Sequence, residues 1–236
     1  MGTLIGVGVG PGDPELVTAR ALRVLAESDR VVAPTTAVDA VGRAESIVRQ
    51  AAPATRIERV VFAMTAGPER DRSHQAAAAT LLPWLDAGEQ VAFVTLGDPN
   101  IYSTFSSLAD TVLAERPDTV VHTVPGIMAF QALAAAAGTV VLDGREQLAL
   151  VAAIDGPDAL DAALADPSRA VVVYKGGRHA AAIAKRLADA GRLEGAVLGE
   201  LLGLPGERVA PLADVADQPA TYLATIIVPP AGRPVP

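Results

Sequence analysis

The chain has 236 residues, of which 50% are hydrophobic, 19% charged and 3% aromatic, with a formal net charge of −8. That length suits two α/β domains with real cores, and the composition excludes a disordered chain. The acidic balance and the scarcity of rings disfavour nucleic-acid binding, and the lack of cysteine excludes disulfides, thiolate nucleophiles and Cys-based zinc sites.

The elements alternate between apolar β-rich runs and Ala/Leu-rich amphipathic segments, the pattern of a parallel α/β architecture. Leu4 to Val9 is the first predicted strand, followed by a Gly/Pro loop and a helix over Glu15 to Ala26. A strand at Arg30 to Ala33 is expected to stop at Pro34. A helix at Ala40 to Ala51, a strand at Ile57 to Val61 and a long helix from Glu69 to Ala87 containing Pro83 come next. Gln90 to Thr95 is a strand, and Tyr102 to Ala114 a helix. The polar segment Glu115-Arg116-Pro117-Asp118 sets the expected boundary, giving domains 1–117 and 118–236.

The second half is predicted to open with strand Val120 to Val124, a Pro125-Gly126 turn and helix Met128 to Ala137, with Gly138 as C-cap. Strands follow at Leu148 to Ala153, Ala170 to Tyr174, Ala196 to Leu201 and Tyr222 to Val228, with helices at Pro157 to Leu164 and His179 to Ala190. The tail Pro229 to Pro236 is expected to fray. The start, Met1 to Gly6, lacks the basic and apolar regions of a signal peptide, and no run is long enough to span a membrane. A cytoplasmic protein that engages neither membrane nor nucleic acid is expected. His74, His122 and His179 are widely separated, so a metal site is not expected.

Two Gly/Pro loops carry the chemistry. In Gly6-Val7-Gly8-Val9-Gly10-Pro11-Gly12-Asp13-Pro14 the glycines are misplaced for a G-x-G-x-x-G dinucleotide fingerprint, and Pro11 and Pro14 remove donors that a pyrophosphate would need. This disfavours a nicotinamide oxidoreductase. The loop presents Asp13 near a helix start, where it serves as a cap or as a functional acid. The second loop, Leu96-Gly97-Asp98-Pro99-Asn100, follows a strand at the sheet end where open α/β sheets bind ligands. Gly97 permits close backbone approach, and Asp98 either accepts hydrogen bonds from a ligand or caps a turn.

Taken together, Gly8-Val9-Gly10-Pro11-Gly12-Asp13-Pro14, Leu96-Gly97-Asp98-Pro99 and Val124-Pro125-Gly126-Ile127, with the strand Val171 to Lys175, resemble the ordered motifs of the tetrapyrrole (corrin/porphyrin) methylases. Phe62-Ala63-Met64-Thr65 and the continuation Ile101-Tyr102-Ser103-Thr104-Phe105 look like the branch that methylates precorrin-2 or its cobalt form at C20. Met128-Ala129, Pro34-Thr35-Thr36 and Glu200 to Pro205 depart from the branch pattern.

The resemblance implies two α/β domains, with S-adenosylmethionine bound in the cleft between them and S-adenosylhomocysteine as its product. It implies cofactor contacts from Pro11, Gly97, Asp98, Ile101, Tyr102, Met128, Ala129, Tyr174 and Leu201, and a proton-handling role for Asp13. A polycarboxylate macrocycle calls for cations, and Arg43, Lys175 and Arg178 are the candidates; solvated surface charge is the alternative for each. A homodimer is implied as well. Two other readings stay open: another tetrapyrrole methylase, or a non-catalytic α/β protein that binds the cofactor.

Overall fold

The computed structural model describes residues 2–37, 39–62 and 68–233. Ala63, Met64 and Thr65 of the branch motif lie outside the described residues, as do 234–236 of the tail. The chain divides into two compact units, Met1–Met128 and Ala129–Pro236.

The first unit holds strands β1 (Thr3–Gly8), β2 (Arg30–Thr35), β3 (Ile57–Val61), β4 (Gln90–Thr95) and β5 (Val120–Val124). They form one sheet in the order β3-β2-β4-β1-β5, and every pair in it is parallel. Side chains alternate across the sheet, so a strand with both faces covered must be apolar throughout. On β1 and β4, Leu4, Val91 and Phe93 enter one core while Ile5, Val7, Ala92 and Val94 enter the other. Helices α3 (Pro68–Asp86) and α4 (Thr104–Glu115) cover the first face through Leu81, Leu85, Phe105 and Leu108. Helices α1 (Ala19–Glu27) and α2 (Arg43–Ala51) cover the second through Leu25, Ile47 and Val48.

Three expectations change here. The helix predicted over Glu15 to Ala26 is split into a 3₁₀ turn at Pro14–Leu16 and α1. Two cap residues compete: Asp13 accepts from Glu15 N–H (2.8 Å) and Thr18 from Ala21 N–H (3.1 Å), and each starts its own turn. Strand β2 runs through Pro34, because beyond Val32 it pairs only with β3 and no bond to β4 is lost. Finally, β5 pairs with β1 from Thr3↔Val120 to Val7↔Val124. The expected boundary at 117/118 would strip this strand from the sheet, and the division falls after Met128.

The second unit contains α5 (Ala129–Ala136), β6 (Gln147–Ala152), α6 (Asp161–Leu164), β7 (Arg169–Tyr174), α7 (Ala180–Asp189), β8 (Val197–Glu200), β9 (Arg208–Pro211), α8 (Leu212–Val215) and β10 (Thr225–Val228). Its sheet order is β6-β7-β10-β8-β9. Only β6 and β7 are parallel; β10 runs antiparallel to β7 and β8, and β9 antiparallel to β8. This second α/β sheet is therefore mixed, whereas the alternation of elements pointed to parallel strands. Gly138 at φ +62 ends α5 as predicted, with Thr139 N–H donating back to Ala134.

The tail is tied down as far as Arg233, whose guanidinium donates to the Val140 carbonyl and pairs with Glu146. Buried Arg192 donates from one nitrogen to the carbonyls of Arg169 and Pro229, each at 2.7 Å, pinning the start of β7 to the end of β10. Burial holds this guanidinium below its ordinary pKa. No helix among the described residues is long and apolar enough to cross a membrane.

Candidate functional site: the strand-end loops

In the first unit, β1, β4 and β5 are adjacent and parallel, so their loops leave the same sheet end. The β1 and β4 loops are joined: Gly97 N–H donates to Gly10 O (2.9 Å) and Val9 N–H to Thr95 O (3.0 Å). Gly97 and Gly10 are left-handed, at φ +63 and φ +79. The Gly97 carbonyl lies where a Cβ on Gly8 or on Gly126 would stand, and a Cβ on Gly8 would also come within 2.8 Å of Gly126 Cα. Glycine is required at both positions by this three-way backbone approach.

Asp98 connects the β4 and β5 loops. Its Oδ1 accepts from Asn100 N–H (2.9 Å) and its Oδ2 from Gly126 N–H (3.1 Å). Ser103 caps α4 by accepting from Phe105 N–H (3.1 Å), and its hydroxyl lies 3.0 Å from that of buried Thr95. Phe105 is buried, and a Cβ on Gly6 would meet its ring at 2.5 Å. Ser103 and Phe105 of the branch motif thus build the core beneath the loop. Tyr102 is held above it at φ 51 and is 46% exposed. Ile101 N–H donates to Asp98 O at 3.4 Å, and Met128 is buried with its Cα 3.8 Å from where a Gly97 Cβ would be.

Pro11 and Asp13 sit half-buried on the β1 loop. Asp13 caps the Pro14–Leu16 turn through one oxygen, and its second oxygen has no protein donor among the described residues. Arg43 opens α2, whose N-cap Gly42 packs against the Pro34 carbonyl at the C-terminal end of β2. Arg43 pairs with no described carboxylate and is half-buried. Its helix is anchored by fully buried Glu45, which accepts from Arg59 at 2.7 and 2.9 Å and from Arg49 at 2.8 Å. The Arg59 guanidinium holds the Glu45 carboxyl below its ordinary range, against burial, which acts to raise it.

The second unit gathers its candidates around the ends of β7 and β8. Tyr174 closes β7, and its hydroxyl accepts from Phe130 N–H in the first turn of α5 (3.4 Å). Ala129 starts that helix and packs with Leu133, Val172 and Ile227. Lys175 and Leu201 follow β7 and β8 immediately, at φ 60 and φ 53. Arg178 is exposed, with its guanidinium 5.3 Å from the centre of the Tyr222 ring. Across the same region, Glu200 accepts from Thr221 N–H (2.9 Å) and pairs with Arg208 (3.2 Å).

Tyr102, Lys175 and Leu201 are the non-glycine residues at positive φ among the described ones. Such conformations persist only where surrounding structure enforces them, and they cluster at functional loops. Sequence reasoning missed Gly8 and Gly126 as a packed pair, Ser103 as a cap and Tyr222 as the ring under Arg178. The glycine pair had a signal, since two Gly/Pro turns end neighbouring strands. Ser103 had one as well, because serine just ahead of an apolar helical run is a preferred N-cap; Tyr222 had none.

The family model for tetrapyrrole (corrin/porphyrin) methylases matches residues 3–216. The chain is 36% identical over 241 residues to the cobalamin biosynthesis protein CobIJ of Mycobacterium tuberculosis, covering 97% of this chain and 46% of that one, so it spans about half of that relative. It is 34% identical to the cobalt-precorrin-2 C(20)-methyltransferase of Salmonella typhimurium, over 96% of each chain. The crystal structure of the methyltransferase CobJ superposes with a TM-score of 0.70 at 22% identity, covering 100% of this chain and 98% of that one. With the family model matched over residues 3–216 and a relative 34% identical over 96% of each chain, this chain belongs to the tetrapyrrole (corrin/porphyrin) methylases.

Proposed function

We propose that the chain transfers a methyl group from S-adenosylmethionine to C20 of precorrin-2 or of its cobalt form. The observation that carries this reading is the near-full-length similarity to a C(20)-methyltransferase in a chain whose β1, β4 and β5 loops meet through Gly8, Gly97 and Gly126. The loops fit such a cofactor. Among the described residues, Gly97 at φ +63 has only Met128 Cα, at 3.8 Å, near its vacant Cβ position, so backbone there can lie directly against a ligand.

The proposed cofactor contacts in the first unit are Pro11, Gly97, Ile101, Tyr102 and Met128; Asp98, expected among them by resemblance, has both oxygens on backbone N–H groups and is proposed instead as the support of this loop. In the second unit the contacts are Ala129, Tyr174 and Leu201. When bound, S-adenosylmethionine supplies an activated methyl group on a sulfonium whose leaving thioether is neutral. The chain therefore needs no strong acid for the leaving group; its work is alignment and exclusion of water. Arg43, Lys175 and Arg178 are the proposed partners of the macrocycle carboxylates. The unoccupied oxygen of Asp13 is the proposed acceptor of the proton that the methylated carbon gives up. A cytoplasmic homodimer is part of the same proposal, by resemblance to the family.

Calorimetric titration of the folded chain with S-adenosylmethionine and with S-adenosylhomocysteine tests the reading. Saturable binding of both supports it. A folded chain that binds neither overturns it.

A further inference from the structure

The geometry points to Asp98 as a positioning residue that sets the turn after β5, acting through Gly126 rather than through the reacting atoms. This inference rests on the methyl-donor reading and deepens it. Both Asp98 oxygens are engaged by backbone, at 2.9 Å from Asn100 N and 3.1 Å from Gly126 N. Gly126 has no freedom to compensate, because its Cα face abuts the Gly97 carbonyl and Gly8, with Gly8 Cα 2.9 Å from where a Gly126 Cβ would stand. One carboxylate therefore fixes the β4 loop to the β5 turn, while the glycine contacts fix the same turn against β1. The turn leads directly to Met128, a proposed cofactor contact. Bonds from backbone N–H to a carboxylate are charge-assisted and the strongest of their kind. Proton handling is a poor role for a group held this way, and Asp13, with an oxygen to spare, is better placed for it.

The test uses Asp98→Asn and Asp98→Ala in the full chain. An amide at 98 offers one oxygen for two backbone N–H groups and turns a donor toward the other; alanine accepts from neither. Hydrogen exchange of the Gly126 amide is measured by NMR without ligand, and S-adenosylhomocysteine affinity by calorimetry. Loss of one bond to a charged group predicts exchange faster by roughly tenfold or more in Asp98→Asn. Affinity falls in the same order, wild type, then Asn, then Ala. In turnover, KM for S-adenosylmethionine rises while kcat changes little. Unchanged Gly126 exchange with lost affinity would assign Asp98 to direct ligand contact and overturn the inference. Faster exchange with unchanged affinity would overturn it too, since the turn would then be irrelevant to the donor. If wild type itself fails to bind, the methyl-donor reading falls, while the exchange data still decide the clamp; should Asp98→Ala not fold, the near-isosteric Asn variant carries the test.

Discussion

Replacing Glu45 by glutamine tests how α2 is held, and with it the placement of Arg43. Glu45 is fully buried between two guanidiniums, and Gln keeps its shape while removing its charge. Removing one partner of a buried ion pair costs about 3–5 kcal/mol. The Arg49 side chain is 52% exposed, so its share is worth only ~0–1 kcal/mol. Arg59, at 26% exposure and bonded through two nitrogens, carries the rest. A net loss of about 3 kcal/mol lowers Tm by roughly 6–12 °C for a protein of this size. The pH dependence follows from the depressed carboxyl. A carboxyl whose folded pKa lies below its unfolded value stabilises fully above that unfolded value, and the contribution is lost as pH falls through the folded one. The gap between wild type and variant is therefore widest near neutrality and narrows below the ordinary glutamate pKa of about 4.3. Scanning calorimetry of both proteins across that range reads it directly. A neutral-pH Tm shift of under a degree or two, or a gap that ignores pH, would refute the ion-pair account.

Gly126→Ala puts a Cβ against the Gly97 carbonyl and within 2.9 Å of Gly8, so S-adenosylhomocysteine binding should be lost, as calorimetry would show, while far-UV circular dichroism stays near wild type. Arg192→Met frees the carbonyls of Arg169 and Pro229 and should destabilise the second unit by about 2–4 kcal/mol, read by urea unfolding. Lys175→Gly relieves a left-handed non-glycine residue, and stability should hold or rise by up to about 1 kcal/mol. In that variant KM for the macrocycle should rise; a fall in KM would remove Lys175 from the carboxylate partners.

The sequence was most legible where turn residues bracket apolar runs. Gln90–Thr95, between Gly88 and Gly97, and Val120–Val124, between Pro117 and Pro125-Gly126, have the expected bounds for this reason. What it could not convey was partnership. Nothing local in Val120 to Val124 says that it completes the first sheet, or in Thr225 to Val228 that it runs antiparallel between two strands. Arg208–Pro211 and Leu212–Val215 are too short to show a period, so both were missed. At the site, the two loops stood out by their Gly, Pro and Asp content. The left-handed backbones of Tyr102, Lys175 and Leu201 did not, because these residue types carry no preference for positive φ and only the surrounding fold imposes it. Asp98 illustrates the limit well: composition allowed a ligand contact or a cap, and its two bonds show that it ties two loops together.

The most direct test of the proposed reaction is to incubate the purified chain with methyl-labelled S-adenosylmethionine and precorrin-2, with and without cobalt, and locate the label by NMR. The account predicts a macrocycle one methyl group heavier, with the label on C20. Label at another ring position, or no transfer by protein that binds the methyl donor and both macrocycle forms, would contradict it.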